Sequence, residues 1–250
     1  MPRYFLEVAY VGTNYSGFQV QENANSIQQE IERSFEIFFR RQVTMTGSSR
    51  TDAGVHALQN FFHFDFEDQI ASKSLYNLNA LLPEDIVIRN LYQVHPEAHC
   101  RFDSLGRHYR YYIHQTKDPF LKHRAYHFPY TLDFNRLQAA AATVPDFNDF
   151  TSFSKRNTQV RSFICAISQS HWEVQDNCWV YHVAANRFLR GMVRGLVGTM
   201  LQVGRGKIGL DEFAGIIAGK DCALADFSVP PHGLFLEAVI YEETLLSHRI

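Results

Sequence analysis

Phe62-His63-Phe64-Asp65-Phe66 alternates bulky apolar residues with polar ones. A period of two is that of a β-strand with one face in a core and the other in solvent. The segment is therefore read as a half-buried strand, with His63 and Asp65 on the wet side. The same pattern recurs outward from it. Between Arg107 and Ile113, Arg107, Tyr109, Tyr111 and Ile113 share one face, and His108, Arg110 and Tyr112 share the other. Tyr4 to Tyr10 is apolar enough for a strand. Further strands are expected from Ile86 and Ile88, around Phe163–Ile167 and Trp179–Val183, and through Leu234, Leu236, Ala238 and Ile240.

Helical spacing fills the gaps between these strands. Ser26 and Gln29 have the spacing of a capping box, and Ile27, Ile31, Phe35 and Phe38 follow as one apolar face. Leu75, Leu78 and Leu82 predict a second helix stopped by Pro83. Asp133 caps a third through Phe134, Leu137 and Ala141. Residues 187–203 are read as a fourth helix, and Asp211 caps a short fifth through Ile216. Gly12, Asn14 and Gly17 mark a turn. Strands and helices mix without regular β-α-β alternation, which points to an α+β class with a largely antiparallel sheet. The expected division is a half over residues 1–103 and another over 104–250.

Composition bounds the function. Of 250 residues, 46% are hydrophobic and 20% charged, an ordinary globular balance. The 21 Phe and 12 Tyr predict a thick sheet–helix core, with a minority free to stack on bases. The formal net charge of −2 argues against a uniformly basic nucleic-acid binder. It conceals a local excess, however: Arg187, Arg190, Arg194, Arg205 and Lys207 occur with no acid among them, and acids gather after residue 210. Cys100, Cys165, Cys178 and Cys222 lie far apart, which indicates neither a disulfide framework nor a zinc finger. The twelve His form no helical metal pair; His99 beside Cys100 comes nearest, and a structural role is preferred for it. Glu7 interrupts the opening apolar stretch, and no run approaches the roughly 20 residues of a membrane span. A cytoplasmic protein without membrane contact is expected.

The sharpest local signal is Arg50-Thr51-Asp52-Ala53-Gly54-Val55-His56-Ala57. It sets a carboxylate in a turn of small residues just ahead of a strand. Taken alone, it reads as an Asx-type turn. The run resembles the active-site motif of the tRNA pseudouridine synthase A family, and the resemblance continues along most of the chain. Tyr10 to Gln19, Ser26-Ile27-Gln28, Asn79 to Pro83, Arg101-Phe102 with Arg107 to Tyr111, Asp149 to Phe153, Asn186 to Arg194 and Gly233 to Leu236 are similar to further family segments in the same order. The resemblance implies two similar α/β halves sharing a largely antiparallel sheet, helices on one side and an active-site cleft between the halves. It implies isomerisation of uridine to pseudouridine in tRNA, at positions 38–40 of the anticodon stem-loop, by a homodimer without cofactor or metal.

By the same resemblance Asp52 is the catalytic carboxylate. It would act at ribose C1′, at uracil C6 or as a base at C2′ while the N1–C1′ bond is broken and the base rejoined through C5. Arg194 matches the arginine partner that keeps this aspartate ionised; its alternative is a solvated helix arginine. Arg187, Arg190 and Arg194 are expected on one helix face. Gly191, Gly195 and Gly198 beside them predict close approach to the catalytic strand. Tyr109 matches a tyrosine that stacks on the uracil, and Tyr111 is read as core. Arg50 matches an arginine that enters the stack as the base leaves; its alternative is a plain turn arginine. Arg107, Arg110, Lys155, Arg156, Arg161, Arg187 and Arg190 are candidates for RNA contact. Val11 and Phe18 depart from the family's usual acid and tryptophan.

Two rivals stand beside this reading. One is a catalytically silent tRNA-binding or RNA-chaperone protein on the same fold. The other is an aspartate-nucleophile hydrolase, which would want further carboxylates and a metal near Asp52.

Overall fold

The computed structural model describes residues 1–156 and 160–250. The chain divides into two compact units, Met1–Leu105 with Phe235–Ile250, and Gly106–Leu234. Both mix helices with sheets whose strands pair mostly antiparallel, so the α+β class holds. Among the described residues no helix is long and apolar enough to cross a membrane.

In the first unit, β1 (Arg3–Tyr10) is followed by α1 (Ile27–Phe39), β2 (Thr46–Gly47), β3 (His56–Asp65), α2 (Lys73–Leu81) and β4 (Ile86–Val94). β1 lies between β4 and β3 and pairs antiparallel with both, while β2 caps the end of β3. Ser26 caps α1 by accepting the Gln29 amide at 3.3 Å. Ile27, Ile31 and Phe35 are buried, and Phe38 is only partly so. α2 stops at Leu81 because proline forces the residue before it out of the helical region; Leu82 is extended, at φ −79 and ψ 151.

In β3 Asp65 is exposed as expected, but the expectation of a wet His63 is corrected. Phe62 and Phe64 face α1, and Phe35 meets Phe64 edge-on at 5.2 Å. The opposite face is covered too: Tyr241 packs edge-on against Phe61 at 5.1 Å and against Phe5 at 5.5 Å. His63 is buried as well, with its ring beside His99 and its Nδ1 against Cys100 Sγ. The period of two fixes which side chains share a face, but what covers each face depends on remote chain.

The second unit opens with β5 (Gly106–His114), then β6 (Tyr126–His127), α3 (Phe134–Thr143), β7 (Ile167–Gln175), β8 (Cys178–Ala185), α4 (Met192–Gly204) and α5 (Leu210–Ala218). β8 lies between β5 and β7, antiparallel to both. The alternation along β5 holds, with Tyr109, Tyr111 and Ile113 buried together. Asp133 caps α3 through the Arg136 amide at 3.1 Å. The expected strand at Phe163–Ile167 begins only at Ile167, because Phe163 and Cys165 are tied by backbone hydrogen bonds to the loop at Asn148–Phe150. β7 and β8 form a hairpin over Asp176-Asn177, both at positive φ (47 and 64), the backbone of a primed turn. α5 is capped by Gly209, with Asp211 inside its first turn.

The fourth helix is shorter than expected. Gly191, at φ +76, turns the chain immediately before Met192, so Arg187 and Arg190 lie in the preceding loop and share no helix face with Arg194. After α5 the chain runs into β9 (Leu234–Ile240), whose residues Phe235 and Leu236 pair in parallel with His56 and Ala57 at the start of β3.

Candidate active site

Asp52 occupies a short turn between β2 and β3. Its carbonyl accepts the Val55 amide at 3.2 Å, and Gly54 takes φ +76, where a side chain would be strained. The loop after β1 presses against this turn. A Cβ on Gly12 would lie 2.0 Å from the Val55 carbonyl oxygen, so only glycine fits. The Phe18 amide donates to the Thr51 carbonyl at 3.1 Å.

Side chains brace the turn further. The Tyr10 and Thr51 hydroxyls are hydrogen-bonded at 2.8 Å. Asn60, fully buried, donates to the Tyr10 hydroxyl at 3.2 Å and to the Ser49 carbonyl at 2.8 Å. The Gly12 amide donates to His56 Nδ1 at 3.0 Å. Thr51, Val55 and His56 are buried, whereas Asp52 is half-buried and Ala53 exposed. The arrangement holds a carboxylate at the surface on main chain that cannot easily move. No local spacing marks Tyr10, His56 or Asn60 for this work, since Tyr10 and Asn60 meet their partners across the sheet.

Arg50 is exposed at the edge of the same turn. Phe18 is core, stacked on Phe62 at 4.4 Å and 13°, while Val11 stands 44% exposed.

In the second unit Tyr109 is buried, with Phe188 edge-on at 5.0 Å. Tyr111 is core as expected. Its hydroxyl donates to the Pro230 carbonyl at 2.8 Å, and burial pushes its pKa well above the ordinary tyrosine value. Arg194, half-buried in the first turn of α4, donates from Nε to the Val229 carbonyl at 2.8 Å and from a terminal nitrogen to the Phe227 carbonyl at 3.5 Å. Gly195 and Gly198 beside it face that same segment. A Cβ on Gly198 would come 2.1 Å from the Asp226 carbonyl oxygen, and one on Gly195 would come 2.8 Å from the Phe227 ring. The glycines do mark a close approach, but its partner is the segment at Asp226–Phe227.

The other basic candidates are dispersed through the second unit. Arg107 donates to the Asn186 carbonyl at 3.3 Å, and Arg110 lies on the opposite face of β5 from Tyr109. The Lys155 side chain lies over Gly191, and its amide donates to the Arg190 carbonyl at 3.0 Å. Arg156 reaches Cys222 Sγ at 3.4 Å. Arg161 is exposed and Arg187 half-buried. Arg205 of the basic stretch stacks over Tyr130 at 4.1 Å, and Lys207 acts on Asp226. The local excess of charge read from the sequence is thus partly absorbed.

Each unit holds, among the described residues, a cluster with metal-ligand chemistry. His63, His99 and Cys100 converge in the first unit, where His63 Nδ1 lies 3.2 Å from Cys100 Sγ. Burial, with His99 and Arg3 nearby, lowers the His63 pKa to about 4, so the ring is neutral at pH 7. The thiol also donates to the Thr46 carbonyl at 3.2 Å, which knits the group into the core by hydrogen bonds. His171, Glu173 and His182 form the second cluster. The two rings are stacked at 5°, and one ion cannot lie in both ring planes. No cysteine among the described residues is in a disulfide, and Cys100, Cys165 and Cys178 are buried.

A sequence model of the family described as tRNA pseudouridine synthase matches residues 7–103 and 147–242. Proteins named tRNA pseudouridine synthase A are similar over nearly their whole length. That of Parabacteroides distasonis is 44% identical, covering 98% of both chains. That of Bacteroides thetaiotaomicron is 44% identical over 100% of this chain and 94% of its own. The Staphylococcus aureus protein is 36% identical over 98% of this chain and 92% of its own. The chain belongs to the tRNA pseudouridine synthase family. The matched segments of this pseudouridine synthase include Arg50, Asp52 and Arg194, and Tyr109 falls between them. The braced turn is accordingly a feature of a tRNA pseudouridine synthase, and the hydrolase reading loses its ground.

Proposed function

We propose that this pseudouridine synthase isomerises uridine to pseudouridine at positions 38–40 of the tRNA anticodon stem-loop, with Asp52 as the catalytic carboxylate. The observation that carries this reading is the presentation of Asp52, a surface carboxylate on a turn braced by Gly12, Tyr10, Asn60 and His56. The reaction is an isomerisation. The N1–C1′ bond breaks, the base turns, a C5–C1′ bond forms, and the proton on C5 departs as N1 gains one. No electrons are gained or lost, so the chemistry needs a positioned carboxylate and a proton path rather than a redox group.

Arg50, Tyr109 and Arg194 are the substrate-binding residues of that reaction. Tyr109 offers its ring to the uracil and its hydroxyl to the departing C5 proton. Arg194, fixed by two backbone carbonyls, supplies oriented positive charge. Arg50 fills the stack that the base vacates. Arg107, Arg110, Lys155, Arg156, Arg161, Arg187 and Arg190 supply the phosphate contacts. In a homodimer in the cytoplasm, two copies pool their positive patches on one tRNA, which reconciles a net charge of −2 with an RNA substrate.

The test is tritium release from tRNA transcripts labelled at uridine C5, in EDTA. Release by the wild type, its loss in Asp52→Ala, and its loss when positions 38–40 carry cytidine are the expected results. Binding without release by the wild type would favour a silent RNA-binding protein instead.

A further inference from the structure

Beside the catalytic turn, the first unit holds a pocket of about 330 Å³ whose lining includes Gln19, Thr46, Arg50, His99, Arg101 and Phe102. That volume lies in the range of small-molecule sites. The whole lining contains two arginines and no carboxylate, in a chain whose net charge is negative. Phe102 is 74% exposed at its mouth. Exposure alone says little, since Tyr76 and Phe120 are more exposed, but neither lines this pocket.

Phe102 is held in place. Its amide and that of Asp103 both donate to the His99 carbonyl at 3.0 Å, and the His99 amide donates to Asp103 Oδ2 at 2.7 Å. The His99 ring lies 4.2 Å from the Phe102 ring at 37°, and the Arg101 guanidinium sits 5.9 Å from its centroid. An exposed aromatic ring in a pocket that also holds two arginines matches a nucleotide, whose base has a π face and whose phosphates are anionic. Neutral peptides and neutral metabolites offer no reason for two arginines without an acid, and a carboxylate ligand gives none for the exposed ring.

We infer that this pocket takes a second nucleotide of the RNA, distinct from the target uridine, with its base stacked on Phe102 and its phosphates between Arg50 and Arg101. The inference rests on the proposed activity and adds a specificity subsite to it. Stacking of this kind makes Phe102 a positioning residue.

The experiment uses an unmodified tRNA transcript, with Kd measured in the Asp52→Ala background and KM and kcat in the active enzyme. Phe102→Ala is expected to raise Kd and KM about tenfold, the usual loss on removing one base–aromatic stack, with kcat little changed. Phe102→Trp is expected to restore binding, and Phe102→Leu is not. Arg101→Ala should lower the slope of log K against log salt by about one, whereas Phe102→Ala leaves the slope alone. Tight wild-type binding unaffected by Phe102→Ala, or full rescue by Phe102→Leu, overturns this inference alone. A wild type that neither binds nor turns over tRNA overturns the proposed function along with it.

Discussion

Gly12 and Gly198 solve the same steric problem in different units. Each lets main chain approach a remote carbonyl oxygen so closely that a Cβ would lie 2.0 Å or 2.1 Å from it. Gly12 approaches Val55, part of the turn that carries Asp52. Gly198 approaches Asp226, at the start of the segment whose Phe227 and Val229 carbonyls hold the Arg194 guanidinium. A short carboxylate has only two rotatable bonds, so fixing its backbone nearly fixes its oxygens. A long arginine retains freedom that the backbone cannot remove, and two acceptors take up its charged head instead. The first unit therefore positions its group through main chain, and the second through hydrogen-bond partners.

The largest expected effect separates Asp52 and Arg194, the two groups to which the proposed function assigns chemistry. On the proposed function, Asp52→Asn should lower turnover by about 10⁴-fold or more, the scale of losing an essential catalytic group, with tRNA affinity nearly intact. Arg194→Ala should cost about 10²-fold, the scale of one preorganised electrostatic contact. Single-turnover kinetics at saturating enzyme measure both. Equal losses would mean that the two groups act as one unit.

Next come the glycines. Gly12→Ala and Gly198→Ala should each destabilise by about 3 kcal/mol in urea unfolding, because neither carbonyl can retreat cheaply. Their effects on kcat should differ. Gly12→Ala displaces the turn that carries Asp52 directly and, on the proposed function, should cost more than Gly198→Ala, whose displacement the arginine can follow. The comparison breaks if Gly198→Ala is the more damaging to kcat.

A pH series sharpens the picture of the first unit. His63 titrates at about 4 in the folded protein, below the 6.5 of a free histidine. The unfolded chain then takes up the proton first. The neutral ring costs nothing above pH 6.5, and stability falls as pH drops from 6.5 towards 4, by up to about 3 kcal/mol. Unfolding free energies of the wild type and His63→Gln should converge in slope above pH 6.5 and diverge below it. Parallel curves through that window would remove His63 as the cause.

The smallest effect is a stabilisation. Gly215 lies inside α5, exposed, with nothing within 4 Å of the place a Cβ would take. Gly215→Ala should add about 0.5–1 kcal/mol by reducing the freedom of the unfolded chain. This is the opposite sign to Gly12→Ala and Gly198→Ala, and thermal unfolding separates the three.

Much of this is legible in the residues. The alternation along β5, the Ser26 and Asp133 caps and the stop at Pro83 are local events, governed by periods and by atoms a few residues apart. The turn at Asp52 is visible because small residues and a glycine gather there. Other features are hidden because their partners are remote. The period of two in β3 does not show that Tyr241 packs on Phe61 or that His99 and Cys100 cover His63. The basic run before Met192 reads as helix because Gly191 has no side chain to announce a positive φ. The glycine stripe announces a close neighbour without naming it, since Asp226 is recognised only by where the chain returns.

The sequence by itself determined most of the strands and helices and which side chains share a face, because short-range sterics and hydrophobic periodicity act within a few residues. The tertiary structure alone decided what braces Asp52, which carbonyls hold Arg194 and how Phe102 comes to stand beside Arg50. Those relations are made by segments distant in the chain, and hydrogen bonds and close packing exist only once the sheets have brought such segments together.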